Sequence, residues 1–243
     1  MQLRVARMQL RVARMQLRVL SWNLAHGRSV PPSGRDLTAE FAAALTGWEW
    51  DVALLQEVPP WWPPQLARAA RATERTVLTS RNQLLALRRA IATRWPDLIK
   101  SNGGGANAIL VRGQAIAEHR TLRLCWWPER RRLQAVKLAG GPWIGNLHAT
   151  VHDEAAAQRE ARIAEAQMLA FSRGRAVVLG GDFNVRRFDF DTLRHAGGED
   201  VDHVFVAGLE PVGETEVLER GALSDHAPVV VTVATDGDPR PSA

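Results

Sequence analysis

VVLGGDFN, residues 177–184, is the stretch that decides the fold of this 243-residue chain. Its apolar run predicts a buried strand, and the run ends in the polar residues Asp182 and Asn184. On an extended segment, side chains two residues apart share one face, so this ending predicts a functional site. The alternative is that Asp182 and Asn184 only form an Asp-x-Asn turn.

The same arrangement, an apolar run that ends in polar residues, occurs four more times. The runs are LSWN at 20–23, LLQE at 54–57, IGNLH at 144–148 and ALSDH at 222–226. One such ending is common in any protein. Five endings that together supply carboxylates, amides and imidazoles indicate a single site at one edge of a sandwich.

The elements between these endings predict the architecture. Capping by Ser33 and Asp36 predicts a helix from about residue 33, and further helices are expected at 64–74 and 83–94. The clearest helix spans 154–172, with Ala161, Ala164, Met168 and Phe171 facing the core and Arg159, Glu160, Arg162 and Glu165 facing outward. Strands are expected at 17–23, 51–58, 106–112, 133–138, 143–147, 176–180, 201–206 and 229–233. Strands outnumber helices, which predicts two packed sheets with helices outside.

The chain begins with a short repeat. MQLRVAR occupies residues 1–7 and again 8–14, and the third copy, from Met15, runs into the first expected strand. We therefore predict one domain over 15–235, a duplicated and disordered leader at 1–14, and a disordered tail at 236–243. The alternative for the leader is a basic peptide that contacts nucleic acid.

Composition limits the class of protein. The chain is 46% hydrophobic and 23% charged, as in an ordinary soluble domain. Its net charge is +5, and nearly all of its basic residues are arginines, since Lys100 and Lys137 are the two lysines. This favours a polyanionic partner, although a GC-rich genome would also produce it. One cysteine excludes a disulfide framework, and no apolar run reaches the roughly 20 residues that span a bilayer. A cytoplasmic monomer without a membrane partner is expected.

The polar endings, taken in order, resemble the motifs of the endonuclease/exonuclease/phosphatase superfamily, which includes DNase I, exonuclease III-type enzymes and bacterial sphingomyelinases. The resembling segments are Trp22-Asn23, Leu55-Gln56-Glu57-Val58, Asn146-x-His148, Gly181-Asp182-Phe183-Asn184, Asp202 and Ser224-Asp225-His226-x-Pro228. The resemblance covers Met15 to about Val233. It implies an α/β (α+β) fold of the DNase I type, a four-layer sandwich of two mixed sheets packed face to face and flanked by helices.

The resemblance also implies a metal-dependent phosphoesterase. Mg²⁺, or Mn²⁺, is held by few carboxylates and keeps waters and substrate phosphate in its shell. Glu57 and Asp225 are the expected ligands, with Asn23 and Gln56 in support. The alternatives are a solvated strand end for Glu57 and an Asx turn for Asn23.

The implied catalytic residues are His148, Asp182, Asn184, Asp202 and His226. Asp182 activates or orients the attacking water, and Asn184 binds the phosphate. Asp202 orients His226, which either takes the proton of the water or steadies the phosphate. His148 contacts phosphate or aids the leaving group, unless it is only a packed strand-end histidine.

Substrate contacts are expected from Asn107, which lines the cleft, and from Arg186 and Arg187. With Arg112, Arg130, Arg131 and Arg132, these two arginines would follow the backbone of a nucleic acid, the favoured substrate. Exposed tryptophan pairs at 61–62 and 126–127 either pack or touch substrate. A phosphatase or lipid phosphodiesterase of the same fold is the first alternative, and a catalytically inactive binding module is the second.

Overall fold

The computed structural model describes residues 15–80, 82–98, 105–127 and 129–235. The leader at 1–14 and the tail at 236–243 lie outside the described residues, so both interpretations stay predictions.

Thirteen strands in the described residues form two sheets. The strands are β1 (Gln16–Asn23), β2 (Val52–Val58), β3 (Thr73–Leu78), β4 (Ala106–Val111), β5 (Ile116–Cys125), β6 (Arg131–Leu138), β7 (Trp143–His148), β8 (Val177–Asp182), β9 (Arg194–Glu199), β10 (Asp202–Ala207), β11 (Glu210–Pro211), β12 (Glu216–Val217) and β13 (Val229–Ala234). The first sheet has the order β11-β13-β1-β2-β4-β3, with β12 also paired to β13. The second has the order β5-β6-β7-β8-β10-β9.

Four helices accompany the sheets in the part of the chain that the structure describes: α1 (Thr38–Gly47), α2 (Pro63–Ala69), α3 (Leu85–Arg94) and α4 (Glu154–Ser172). None of them has both the length and the apolarity that a membrane-spanning helix needs.

Alternation along the strands produces the layers. In β1, Leu17 and Val19 join an apolar cluster between the sheets, whereas Leu20 and Trp22 pack with α1 and α2 on the outer face. Successive side chains of a strand point to opposite faces, so one strand serves two cores. A third cluster packs α4 against the second sheet. This confirms the expected four-layer sandwich.

Two predictions about local structure are wrong, and strand β5 has no counterpart among the expected ones. Helix α1 begins at Thr38 rather than near Ser33, because the Asp36 carboxylate accepts the Thr38 amide at 2.7 Å and Ser33 is not a cap. The expected helix at 64–74 ends at Ala69 and is followed by strand β3. β5, an edge strand with mainly exposed side chains, was not predicted at all.

The outward face assigned to α4 is also wrong in part. Glu160 and Glu165 are buried. Glu160 accepts hydrogen bonds from the amide and hydroxyl of Thr150, at 2.8 and 2.6 Å. Glu165 accepts the amides of Thr192 and Leu193, at 2.9 and 3.0 Å. Both carboxylates are buried because they satisfy loop backbone groups that sequence periodicity does not reveal.

Candidate functional site

Sheet topology brings the polar strand ends to one edge. β1 and β2 run parallel, which places Asn23 beside Gln56. β7 and β8 also run parallel, which places His148 beside Asp182. β10 is antiparallel to β8, so its first residue, Asp202, also lies opposite Asp182. The carboxyl ends of parallel strands share an edge, and there the two sheets face each other.

Hydrogen bonds to β1 fix the Asp-His loop at this edge. The Ser224 hydroxyl donates to the backbone carbonyl of Asn23 at 2.6 Å and accepts the amide of His226 at 3.1 Å. The indole nitrogen of Trp22 donates to the carbonyl of His226 at 3.2 Å. Both side chains that hold the loop are buried, so His226 is positioned by the core.

Gly181 lets β8 approach β7 closely. It has φ 135°, and a Cβ at this position would lie 1.9 Å from the carbonyl oxygen of Leu147. Its conformation serves the contact between two strands that places Asp182 next to His148.

Asp182 is the buried centre of the cluster, with 1% of its surface exposed. Its Oδ2 accepts the side-chain amide of Asn23 at 2.8 Å. The Nε2 atoms of His148 and His226 lie 3.7 and 3.8 Å from the same oxygen. Burial raises the pKa of Asp182, although the charge of His226 and the Asn23 hydrogen bond oppose the rise.

His226 and Asp202 form the expected pair. Nδ1 of His226 donates to Oδ2 of Asp202 at 2.7 Å, which turns Nε2 toward Asp182. Burial alone would lower the pKa of His226, but the hydrogen bond and charge of Asp202, with the charge of Asp182, raise it to about 9. Burial raises the pKa of Asp202 to about 7, against the hydrogen bond from His226. The hydrogen bond thus fixes the orientation of the His226 ring.

Glu57 also lies close to Nε2 of His148. A bulge interrupts the β2–β4 pairing at this point, and Glu57 has φ 50°. Its carboxylate lies 3.7 Å from Nε2 of His148 and 3.2 Å from Nε2 of His26. The sequence assigned no role to His26. Its position in the loop directly after the Asn23 strand end is the signal that could have identified it.

His148 is the most deeply buried imidazole of the site. Burial lowers its pKa well below the ordinary value, and the charges of Arg131, His26 and His226 lower it further. Its Nε2 lies 3.7 Å from both the Glu57 and the Asp182 carboxylates, so it can exchange hydrogen bonds with a group bound near them.

Gln56 and Asn146 join the two sheets beneath the site. The Gln56 amide donates to the Asn146 side-chain oxygen at 2.8 Å, and Asn146 donates to the carbonyls of Leu55 and Ala108. All of these groups are buried. Gln56 therefore braces the sheets, which differs from the metal-supporting position that the sequence suggested.

Two predicted site residues take part in turns. Asn184 has φ 53°, its amide donates to Oδ1 of Asp182 at 3.0 Å, and its side chain donates to the carbonyl of Ala149. The prediction of an extended Asp-x-Asn segment is therefore wrong. Asp182 and Asn184 form the turn that was given as the alternative, and Asp182 also belongs to the site. The Oδ1 of Asn23 accepts the amide of Ala25 at 2.9 Å, which is the Asx turn considered as its alternative.

Asn107 is fully buried, and neither its side-chain oxygen nor its nitrogen has a partner. It lies near the start of β4, beside the β2 bulge that carries Glu57. A buried amide without partners is rare. Asn107 can therefore offer a donor or an acceptor to a bound group, in keeping with its expected place in the cleft.

The predicted arginines separate into two groups. Arg186 and Arg187 are exposed, and Arg186 pairs with Asp200, two residues before Asp202. Arg112 is not near the site. β4 is antiparallel to β2, which places Arg112 at the opposite edge, where it donates to the carbonyls of Leu45, Trp48 and Ala70.

The side chains present fit a divalent cation. Asp182, Asp202 and His226 each offer a ligand atom within 4.8 Å of the others, and Oδ1 of Asp202 is buried without a partner. Carboxylate oxygens are the donors that Mg²⁺ and Mn²⁺ prefer. Asp225 is exposed next to His226.

Comparison with known proteins places this site in a family. The chain resembles an endonuclease/exonuclease/phosphatase family protein from Bacteroides thetaiotaomicron (18% identity, 92% of this chain and 99% of that one, TM-score 0.69). It also resembles TDP2 from Caenorhabditis elegans (16%, 90% and 75%, 0.64) and a mannosyl-6-phosphatase from B. thetaiotaomicron (18%, 89% and 99%, 0.65). At these identities the likeness shows the fold alone.

No curated protein matches the sequence. The model of the Endonuclease/Exonuclease/phosphatase family matches residues 20–226, from the middle of β1 to His226. This span contains every strand end that meets at the site. The chain therefore belongs to the Endonuclease/Exonuclease/phosphatase family, whose members are phosphoesterases.

Proposed function

We propose that the protein is a divalent-metal-dependent phosphodiesterase that cleaves nucleic acid. The observation that carries this proposal is the geometry around Asp182. One buried carboxylate oxygen accepts the Asn23 amide and faces the Nε2 atoms of both His148 and His226. Such a cluster can hold a water, accept its proton and donate to a leaving oxygen within a few ångströms.

Each residue has a role in this proposal. Asp182 orients the attacking water, and Asn23 fixes the carboxylate. Asp202 holds Nδ1 of His226, so its Nε2 either receives the proton or donates to the phosphate. His148 and Asn184 contact the phosphate. General acid–base help of this kind accelerates hydrolysis by roughly 10²–10⁴-fold.

Glu57 and Asp225 are the proposed ligands of Mg²⁺ or Mn²⁺; a second candidate set is Asp182, Asp202 and His226, whose ligand atoms lie within 4.8 Å of one another. The bound cation would supply charge neutralisation at the phosphate and a more acidic water. The exposure of Asp225 leaves it accessible to such an ion, and the half-buried Glu57 carboxylate faces the same edge.

Nucleic acid is the proposed substrate because the chain carries a net charge of +5 and nearly all of its basic residues are arginines. Arginine donates two hydrogen bonds to a phosphate at once. Arg186 and Arg187 are exposed beside the strand end that carries Asp182. A phosphate backbone that enters the site would pass these side chains.

A substrate panel tests the proposal. Plasmid, single-stranded DNA, RNA, sphingomyelin and a sugar phosphate would each be incubated with Mg²⁺ or Mn²⁺, and again with excess EDTA. We expect a nucleic acid to be cleaved fastest, EDTA to abolish cleavage, and either metal to restore it. Full turnover in excess chelator would contradict metal dependence, and faster turnover of the sugar phosphate or lipid would contradict the substrate.

A further inference from the structure

A β-bulge in β2 turns the side chain of Glu57 toward the catalytic edge. Leu54 joins the apolar cluster between the sheets, whereas Leu55 joins the cluster that packs with α1 and α2. Strict alternation would therefore place Glu57 on the helix side and Val58 between the sheets. Val58 instead lies in the helix-side cluster, so the bulge has moved Glu57 to the inter-sheet face, where it lies 3.7 Å from Nε2 of His148.

The bulge adds one residue to β2 and requires an unfavourable backbone conformation. The last regular pair before it is Leu55 with Ala108, and pairing resumes after three residues on β2, at Val58, but after two on β4. Glu57 has φ 50°, which costs free energy for a residue with a side chain. Such a conformation persists only where the surrounding structure holds it. A contact that fixes the bulge is therefore needed.

Asn146 of β7 supplies this contact from the other sheet. Its side-chain nitrogen donates to the backbone carbonyls of Leu55 and Ala108, at 3.0 and 3.1 Å, so both members of the last regular pair are bonded. Its side-chain oxygen accepts the side-chain amide of Gln56 at 2.8 Å. Asn146 is fully buried. All three of its bonds therefore end at the bulge or at the pair that borders it.

The strand that holds the bulge also carries His148. Side chains two residues apart on a strand share one face, so β7 directs Asn146 to the bulge and His148 to the carboxylate that the bulge re-aims. The distance between His148 and Glu57 thus depends on the bonds that Asn146 makes.

Gln134 makes an inter-sheet hydrogen bond of the same kind at another place. It lies opposite Asn146 on β6, is fully buried, and donates to the backbone carbonyl of Arg75 on β3 at 2.7 Å. The pairing of β3 with β4 is regular around Arg75. Gln134 therefore ties the two sheets together without directing the side chain of a site residue, which separates bracing from positioning.

We infer that Asn146 is a positioning residue for the proposed reaction: it holds the bulge that aims Glu57 at the catalytic edge, and so it sets the affinity of the site for a divalent cation. This inference rests on the proposed metal-dependent function, in which Glu57 is a ligand. It adds a residue that acts only through Glu57. Loss of a group that orients a metal ligand typically weakens metal binding by about 10–100-fold.

A double-mutant cycle on Mn²⁺ affinity tests this inference. Electron paramagnetic resonance of free Mn²⁺ would give the dissociation constant for the wild-type protein, Asn146→Leu, Glu57→Gln and the double variant. Leucine has a similar volume and no donor. We expect Asn146→Leu to weaken Mn²⁺ binding by about tenfold or more. In the Glu57→Gln protein, where the ligand that Asn146 positions is gone, the same substitution should have almost no further effect.

Gln134→Leu is the matched control, because it removes an inter-sheet bond next to Asn146 that does not reach the bulge. It should lower the melting temperature to a similar extent and leave Mn²⁺ affinity unchanged. If Asn146→Leu does not fold, Gln56→Met replaces it in the cycle, since it removes the donor that holds the Asn146 oxygen. The loss of affinity should then be smaller but equally dependent on Glu57.

The outcomes separate this inference from the proposed function. Equal weakening by Asn146→Leu in both backgrounds, or an equal loss of affinity in Gln134→Leu, would overturn the positioning role and leave the metal-dependent function standing. Unchanged Mn²⁺ affinity in Glu57→Gln would overturn the ligand role of Glu57 and this inference with it. Absence of Mn²⁺ binding to the wild-type protein would overturn both the inference and the proposed function.

Discussion

The two edges of the sandwich both bury polar side chains, but they use them differently. At the edge opposite the site, Arg112 donates to the carbonyls of Leu45, Trp48 and Ala70, and its guanidinium lies 3.7 Å from the Trp50 ring. At the catalytic edge, Asn107, Oδ1 of Asp202 and Nε of Arg131 have no partner.

This difference distinguishes a buried polar group that stabilises the fold from buried polar groups that can bind a ligand. A buried polar group is tolerated when its hydrogen bonds are filled. Arg112 meets this condition entirely with backbone carbonyls, so it stabilises the packing of α1 and α2 against the sheet. The unfilled groups at the other edge remain available to a ligand. The completeness of hydrogen bonding thus distinguishes two buried clusters that look equally polar in sequence.

The largest expected effect is at the catalytic edge. Asp182→Asn removes the carboxylate that faces both imidazoles, so kcat should fall by about 10²–10⁴-fold. The melting temperature should stay close to that of wild type or rise, because a neutral amide avoids the desolvation that raises the Asp182 pKa. Steady-state kinetics and thermal melting measure both. If the variant lost much of its stability while its folded fraction kept the wild-type kcat, Asp182 would have a structural role and not a catalytic one.

Arg112→Ala should show the opposite pattern. It leaves three backbone carbonyls without their donor and removes the contact with Trp50, which should lower the free energy of unfolding by roughly 2–3 kcal/mol. At a temperature where the variant is folded, kcat should match wild type. Urea unfolding and kinetics at low temperature check this, and loss of kcat in a fully folded variant would show that the two edges are not independent.

Sequence reasoning was accurate where the chain is buried. Strands β1, β2, β7 and β8 were predicted because each is an apolar run that ends abruptly, and the same endings identified the site. β3 and β5 were missed because both lie at sheet edges, where side chains are half or fully exposed and the apolar pattern is weak. Hydrogen bonds of single side chains, some local and some to distant partners, explain the other errors.

Glu160 shows why those partners escape prediction. The residues three and four positions away are Ala156, Ala157, Ile163 and Ala164, so helical spacing places Glu160 on the apolar face and only its charge suggested an outward position. In the structure it is 4% exposed and holds the loop that follows His148. His26 is a similar case, since its position directly after the Asn23 strand end, and no periodic pattern, is the signal for its contact with Glu57. Long-range contacts of single side chains are not encoded in a periodic pattern.

A smaller effect, on the salt dependence of DNA binding, is expected from the exposed arginines Arg186 and Arg187. If Arg186 and Arg187 contact phosphates, replacing both by alanine should flatten the log–log salt dependence of DNA binding by about one to two units. Binding should weaken for all sequences alike. Fluorescence anisotropy between low and moderate salt measures the slope, and an unchanged slope would show that these arginines only solvate the surface. Arg68→Ala with Arg71→Ala, on and just after α2, is the control.

The smallest effect is expected at the opposite edge, from removal of residues 1–14. β1 is complete without them, and the Met15 backbone already bonds to Thr235, through its amide at 3.2 Å and its carbonyl at 3.0 Å. A protein that starts at Met15 should melt and turn over as the full chain does. Loss of solubility or activity would show that the leader belongs to the fold.

The most direct test of the catalytic edge is the turnover of His226→Ala on the preferred substrate of the panel, with His119→Ala as control. His119 is an exposed histidine of β5 that contacts Gln134. We predict that His226→Ala lowers kcat by about 10²–10⁴-fold, that Asp202→Asn is milder because it removes only the orienting partner, and that His119→Ala is unchanged. A His226→Ala variant that keeps most of the wild-type rate would contradict the account.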